Sequence, residues 1–209
     1  MGLGSFSADF PWNPYERPDL PQFDERHLSR VGVIDVGSNS VRLVVFDGAA
    51  RSPAYFYNEK LMCALGSGLS KTGILNPEGK LRAIKAIRRF KHLANAMGIP
   101  ELTAVATAAV REASDGEEFC REVYEATEQK IWIIDGREEA RLSAQGILLG
   151  WPGSYGLVCD LGGSSMELAE INNGEVGRRV TSRLGPLKLM EIEGGRAARA
   201  KFIRATIKE

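Results

Sequence analysis

The 209-residue chain is 44% hydrophobic and 26% charged, which places it among folded globular proteins and excludes a disordered one. Its 27 Lys and Arg balance 27 Asp and Glu, so bulk charge points to no nucleic-acid partner, and any basic groove would have to be local. No apolar stretch is long enough to span a bilayer and the N-terminus lacks a signal-peptide pattern, so no membrane association and a cytoplasmic location are expected.

Residues 1–30 carry Pro11, Pro14, Pro18 and Pro21 among scattered charges and read as an extended or disordered leader. Two apolar runs, 31–35 and 41–46, read as strands joined by the small-residue turn Gly37-Ser38-Asn39-Ser40. A third strand is expected in the aromatic-rich stretch 54–65. Asn76, Pro77 and Glu78 predict a helix start, and the helix should run to about Met97. Leu81, Ile84, Ile87 and Leu93 form its expected apolar stripe, with Lys80, Arg82, Lys85, Arg88, Arg89 and Lys91 on a solvated face.

Residues 101–107 read as a buried strand, 116–128 as a helix, 130–135 as a strand and 136–150 as a helix that packs through Ala140, Leu142, Ala144 and Ile147. This alternation predicts an α/β layer over 31–150. A boundary is expected at Trp151-Pro152-Gly153-Ser154, followed by a strand–turn–strand over 155–171, a third strand at 175–184 and a helix from Gly194. Cys63, Cys120 and Cys159 have no metal or redox spacing and read as small buried hydrophobes of a reducing compartment.

The turn after Asp35 recurs. At a shift of 125 residues Asp35 falls on Asp160, Gly37 on Gly162, Ser40 on Ser165 and Leu43 on Leu168. A repeat at domain-sized spacing points to a duplicated structural unit. Small residues in a tight turn between strands leave backbone N–H groups exposed, and several such donors in one concave turn bind anions, phosphate above all. Two such turns facing each other could hold a phosphate chain from both sides. The Asp beside each turn makes sense if a divalent cation or a water lies between it and the phosphate.

At these residues the chain resembles the exopolyphosphatase/guanosine pentaphosphate phosphohydrolase family, in its N-terminal portion. "DVGSNSVRL" (35–43) looks like the family's first phosphate-binding motif and "DLGGSSMEL" (160–168) like its second. "LGSGLSKTGILNPEG" (65–79), "ATAAVREASDGEEF" (106–119) and "DGREEARL" (135–142) resemble three further signatures, in family order. The resemblance implies an α/β actin-like ATPase (ribonuclease H-like) fold: one complete domain at 31–150 plus the start of its duplicate at 151–209. It implies phosphate binding by Gly37, Ser38, Asn39 and Ser40 on one side and by Gly162, Gly163, Ser164 and Ser165 on the other. Mg²⁺ would be held by Asp160 and Glu167, with Asp35, directly or through water. Arg111 would pair with a terminal phosphate, and Glu139 would be the base that activates water. Glu138, about 100° away around the helix, would be structural.

The implied activity is Mg²⁺-dependent release of terminal phosphate from polyphosphate or guanosine pentaphosphate. The alternatives are a non-catalytic phosphate- or nucleotide-binding module and, less favoured, an actin-like or sugar-kinase ATPase. Ser164 stands where the family has a third glycine and Asp115 where it has Asn, so both are expected to perturb phosphate binding. Residues 155–209 are too few for a second full sheet with its helices. An open sheet edge is expected, to be met by a homodimer or a missing C-terminal partner.

Overall fold

The computed structural model describes residues 30–48 and 54–208, so the expected leader lies, apart from Arg30, outside the described residues. Strands β1 (Val31–Val36), β2 (Ser40–Phe46), β3 (Tyr55–Met62), β4 (Glu101–Ala106) and β5 (Ile131–Ile133) form one sheet in the order β3-β2-β1-β4-β5. The first three pair antiparallel, and β4 and β5 continue parallel to β1. This is the ribonuclease H-like arrangement of actin-like ATPases.

Alternation decides the faces. Val41, Leu43 and Val45 of β2 turn inward with Ile34 and Val36 of β1, all fully buried. Two short helices, α1 (Leu69–Thr72) and α3 (Ala108–Glu112), were not foreseen. The long helix α2 (Pro77–Ala96) begins as the sequence predicts, with the Asn76 side chain accepting from the Gly79 N–H at 2.8 Å.

Of the expected stripe, Ile87 enters the core and Ile84 and Leu93 pack against it, whereas Leu81 is 62% exposed. Ala83, Phe90 and Ala94 complete the inner side, and Leu81 lies about 200° around the helix from Ala83. The basic residues staple the helix to its neighbours. Arg82 donates to the Cys63 carbonyl, Arg89 pairs with Glu59, and Lys80 reaches Asp115 and Glu122 on either side of the start of α4 (Gly116–Thr127).

A second, three-stranded sheet holds β6 (Gly156–Leu161), β7 (Met166–Asn172) and β8 (Glu175–Ser182), antiparallel in that order. Its first hairpin repeats that of the first sheet residue for residue. Val31 pairs with Phe46 and Asp35 with Arg42; Gly156 pairs with Ile171 and Asp160 with Glu167. Each pair in one hairpin maps on its counterpart by the same 125-residue shift. The far edge of β6 has no strand partner among the described residues, although β1 at the equivalent place pairs with β4. Tyr155, Leu157 and Leu161 are correspondingly exposed.

Helix α5 (Gly136–Gly150) follows β5 in the chain but packs on the second sheet. Ala140 and Ala144 meet Ala169 and Ile171, with Leu148 and Val176 alongside. Leu142 and Ile147, expected to pack, are more than a third exposed, because this helix approaches the sheet through its small residues. Two more helices, the unforeseen α6 (Pro186–Met190) and α7 (Gly195–Thr206), end the described chain. Across the two lobes Glu191 accepts from the Gly68 N–H at 2.9 Å and from Ser70, and Lys188 meets Glu112 at 2.8 Å.

All three cysteines are unpaired. Cys63 is buried and Cys120 half-buried, but Cys159 is exposed on β6, contrary to the reading of all three as core residues. Enclosure in protein pushes the Cys120 thiol up to about 12, so about one such thiol in ten thousand is ionised at pH 8. Iodoacetamide at pH 8 is therefore expected to alkylate Cys159 in the folded chain and to spare Cys63 and Cys120 until denaturant is added. Equal labelling rates, read by peptide mass spectrometry, would contradict this placement of β6.

Candidate active site

The two turns expected to hold phosphate meet where the lobes meet. A Cβ placed on Gly163 would stand 3.1 Å from the Cβ of Ser38 and 3.0 Å from Leu187, so glycine is what lets the turns approach so closely. Their carbonyls are tied back by neighbouring loops. Asn39 O accepts from Cys63 N and Ala64 N, Ser38 O from Gly66 N, and Gly163 O from Leu187 N, all within 2.8–2.9 Å. No acceptor among the described residues takes the N–H groups of Ser38, Asn39, Gly163 or Ser164. The side chains of Ser38, Ser164 and Ser165 are nearly fully buried, while Asn39 and Ser40 are half-buried. Ser164 does not adopt a left-handed backbone, so a side chain fits where the family pattern has glycine. Asp115 accepts from Leu75 N at 2.9 Å and faces Lys80, so its charge is spent on holding α4 to the loop before α2.

The charged residues gather at the carboxyl ends of β1, β4 and β5, where open α/β sheets present their ligand sites. Arg111, on α3 just after β4, donates through Nη1 to the Ile134 carbonyl at 2.8 Å and to Glu139 Oε2 at 3.0 Å. Glu139 is carried by the first turn of α5, which Asp135 caps by accepting from the N–H groups of Arg137 and Glu138. Glu138 turns away to a two-pronged pair with Arg141 at 2.7 and 2.5 Å, the structural role expected of it.

Opposite stand Asp160 and Glu167, directly paired across β6 and β7. Glu167 is 1% exposed; its Oε1 accepts from Thr181 Oγ1 at 2.8 Å, and its Oε2 is buried with no hydrogen-bond partner among the described residues. Asp160 accepts from Ser143 Oγ at 2.5 Å. Asp35 lines the same cleft, open to solvent on one side.

Charge crowding sets the proton affinities. Burial first, then the Glu167 carboxylate, raises Glu139 to about 7, against the opposing pull of Arg111. The ion pair therefore does not win over desolvation. Burial likewise raises Glu167, and the protein around Asp35, with Asp160 across the cleft, raises Asp35 despite Arg42 and Lys60.

No three acidic side chains among the described residues converge into a ready-made metal cage. A hard cation such as Mg²⁺ does not need one, since it binds through one or two carboxylates and completes its shell with water and substrate phosphate. Asp160 and the unpartnered oxygen of Glu167 fit that description. Ser143, Thr181 and the Ile134 carbonyl escaped the sequence reading because only the fold brings them to these groups.

The folded chain holds the Glu139 proton more tightly than the unfolded chain does. The associated stability is thus full below about 4.5 and lost as the pH rises toward about 7. Relative to the parent, Glu139→Gln is expected to gain thermal stability on going from pH 5 to pH 8. Arg111→Met should destabilise by on the order of 3 kcal/mol at pH 8 and by less at pH 5, where Glu139 takes up a proton. Melting curves at both pH values check the two signs.

Comparison with known proteins agrees with the geometry. A model of the Ppx/GppA phosphatase family matches residues 44–192. Exopolyphosphatase 1 of Mycobacterium tuberculosis is 32% identical over 143 residues, 67% of this chain and 42% of that protein. The chain thus spans less than half the length of that relative. The crystal structure of an exopolyphosphatase from Cytophaga hutchinsonii superposes with a TM-score of 0.78 at 25% identity, covering 86% of this chain and 61% of the other. The Aquifex aeolicus member of the Ppx/GppA family superposes with a TM-score of 0.69, also at 25% identity, over 86% and 59% of the two chains. A duplicated hairpin in register, a guanidinium–carboxylate pair beside a second carboxylate row and this likeness in sequence and fold lead to one assignment: the chain belongs to the Ppx/GppA phosphatase family.

Proposed function

We propose that this chain carries the catalytic centre of a phosphoanhydride hydrolase that releases terminal phosphate from inorganic polyphosphate or guanosine pentaphosphate. The observation that carries the reading is the Arg111–Glu139 pair set beside the Asp160–Glu167 row, where two Gly-Ser turns meet. Both substrates end in a phosphoryl group joined through an anhydride oxygen, and nothing at the site favours one of them.

The free N–H groups of the two turns bind and orient the phosphate chain. Mg²⁺, when bound, supplies positive charge to the phosphoryl oxygens. Glu139, deprotonated above about pH 7, orients a water and takes its proton. The water oxygen bonds to the terminal phosphorus as the P–O bond to the bridging oxygen breaks, and the bond electrons leave with the shortened chain. Arg111 steadies Glu139 in the free chain and is placed to meet the terminal phosphate. Three unpaired cysteines agree with a reducing, cytoplasmic setting. The edge of β6 that is unpaired among the described residues is where another strand would add.

A second reading, a phosphate-binding module without turnover, is favoured by the burial of Ser38, Ser164 and Ser165 between the lobes. Phosphate release from long-chain polyphosphate by the folded chain, with Mg²⁺ and with excess EDTA, separates the two. Hydrolysis requires metal-dependent release that falls at least about 100-fold in Glu139→Gln. Binding of polyphosphate without release in either condition would establish the module instead.

A further inference from the structure

Beyond the acidic residues themselves, the structure sets a row of three side chains on the second sheet against a row of three on α5. Asp160, Glu167 and Thr181 stand directly opposite one another across β6, β7 and β8. Directly opposed residues of antiparallel strands share a face. Gly136, Glu139 and Ser143, spaced by three and four, share a face of α5. The rows meet pair by pair. A Cβ on Gly136 would stand 2.5 Å from the Thr181 side chain, Glu139 is electrostatically coupled to Glu167, and Ser143 donates to Asp160 at 2.5 Å.

At the two ends of this interface stand hydroxyls. A hydroxyl has one proton to donate. Thr181 gives its proton to Glu167 Oε1, and Ser143 gives its proton to Asp160 Oδ2. Each bond fixes the rotation of a carboxylate and leaves the other oxygen available. For Glu167 that remaining oxygen, Oε2, is buried and has no hydrogen-bond partner among the described residues, although the Ser165 hydroxyl lies near enough to favour the ionised carboxylate. Thr181 is itself held in place, because its side chain abuts the backbone of the first residue of α5.

We propose that Thr181 and Ser143 are positioning residues that orient Glu167 and Asp160 as ligands of a divalent, oxygen-seeking cation, and that Thr181 selects Oε2 of Glu167 as the binding oxygen. The inference rests on the reading of these carboxylates as cation ligands given above. It adds two residues from elements, α5 and β8, that lie outside both Gly-Ser turns. Hydrogen-bond partners of metal-binding carboxylates hold the ligand in the bound geometry before the metal arrives, and their loss costs about 10–100-fold in metal affinity.

The test uses Mn²⁺ alone, titrated into the whole chain and followed by electron paramagnetic resonance, with melting curves recorded for every variant. Valine keeps the shape of threonine, so Thr181→Val should fold, melting somewhat below the parent because the buried Glu167 loses a hydrogen bond. It is expected to bind Mn²⁺ about 10-fold or more weakly, with affinity restored in Thr181→Ser, which keeps the hydroxyl. Ser143→Ala should weaken binding in the same direction. Parental affinity in Thr181→Val overturns the proposal, as does a Thr181→Ser variant no better than valine. A parent chain that binds no Mn²⁺ removes the cation reading of Asp160 and Glu167, and this proposal with it.

Discussion

A carboxylate at 1% exposure with one oxygen unpaired governs the architecture around it. Taking such a group out of water costs several kcal/mol when it stays ionised. Glu167 meets part of that cost through the Ser165 and Thr181 hydroxyls and the field of Arg111. The rest appears as a raised proton affinity of Glu167, and because α5 lies so close the Glu167 charge adds to burial in raising Glu139 as well. That closeness comes from Gly136, Ala140 and Ala144, the small buried residues of α5. Larger residues there would move the helix outward, let water between Glu139 and Glu167 and weaken their coupling. The packing of α5 and the electrostatics of the site are thus one constraint seen from two sides.

Much of the fold was legible because it rests on local signals. The Asn76 cap with Pro77, the period-two apolar runs of β1 and β2 and the repeated Asp-x-Gly turn each specify geometry within a few residues. What failed was the direction of burial. On α2 and α5 the expected faces held at Ile87, Ala140 and Ala144 but not at the large side chains Leu81, Leu142 and Ile147. These helices in fact bury faces built largely on alanine and glycine, where close approach replaces side-chain bulk. Cys159 was misjudged for a related reason. β6 has a neighbour on one side only, and no local signal tells an edge strand from a central one.

The site was legible in its motif residues and illegible in their supports. Thr181 shows why. The Asn173-Gly174 turn has both residues in the left-handed region, as a tight two-residue hairpin requires. It pairs Asn172 with Glu175 and Ile171 with Val176. Counting onward from that turn would set the apolar Val180 opposite Glu167. An irregularity between Ala169 and Ile171 shifts the register by one residue and brings Thr181 there instead. One extra residue in a strand, invisible in the pattern of hydrophobicity, thereby exchanges a methyl group for a hydroxyl beside a buried carboxylate.

The duplicated hairpin has the same backbone pairing in both copies but opposite electrical character. In the first, Asp35 is paired across the strands with Arg42 and lies in the field of Lys60, so its charge is answered from within the protein. In the second, the position of Arg42 is taken by Glu167, and acid stands opposite acid. The same backbone unit, used twice, therefore carries two different charge environments: in one copy a carboxylate is answered by a guanidinium on the neighbouring strand, and in the other the answering charge has to come from Arg111, which belongs to the opposite lobe. The second hairpin thus depends electrically on the first lobe in a way that the first hairpin does not depend on the second.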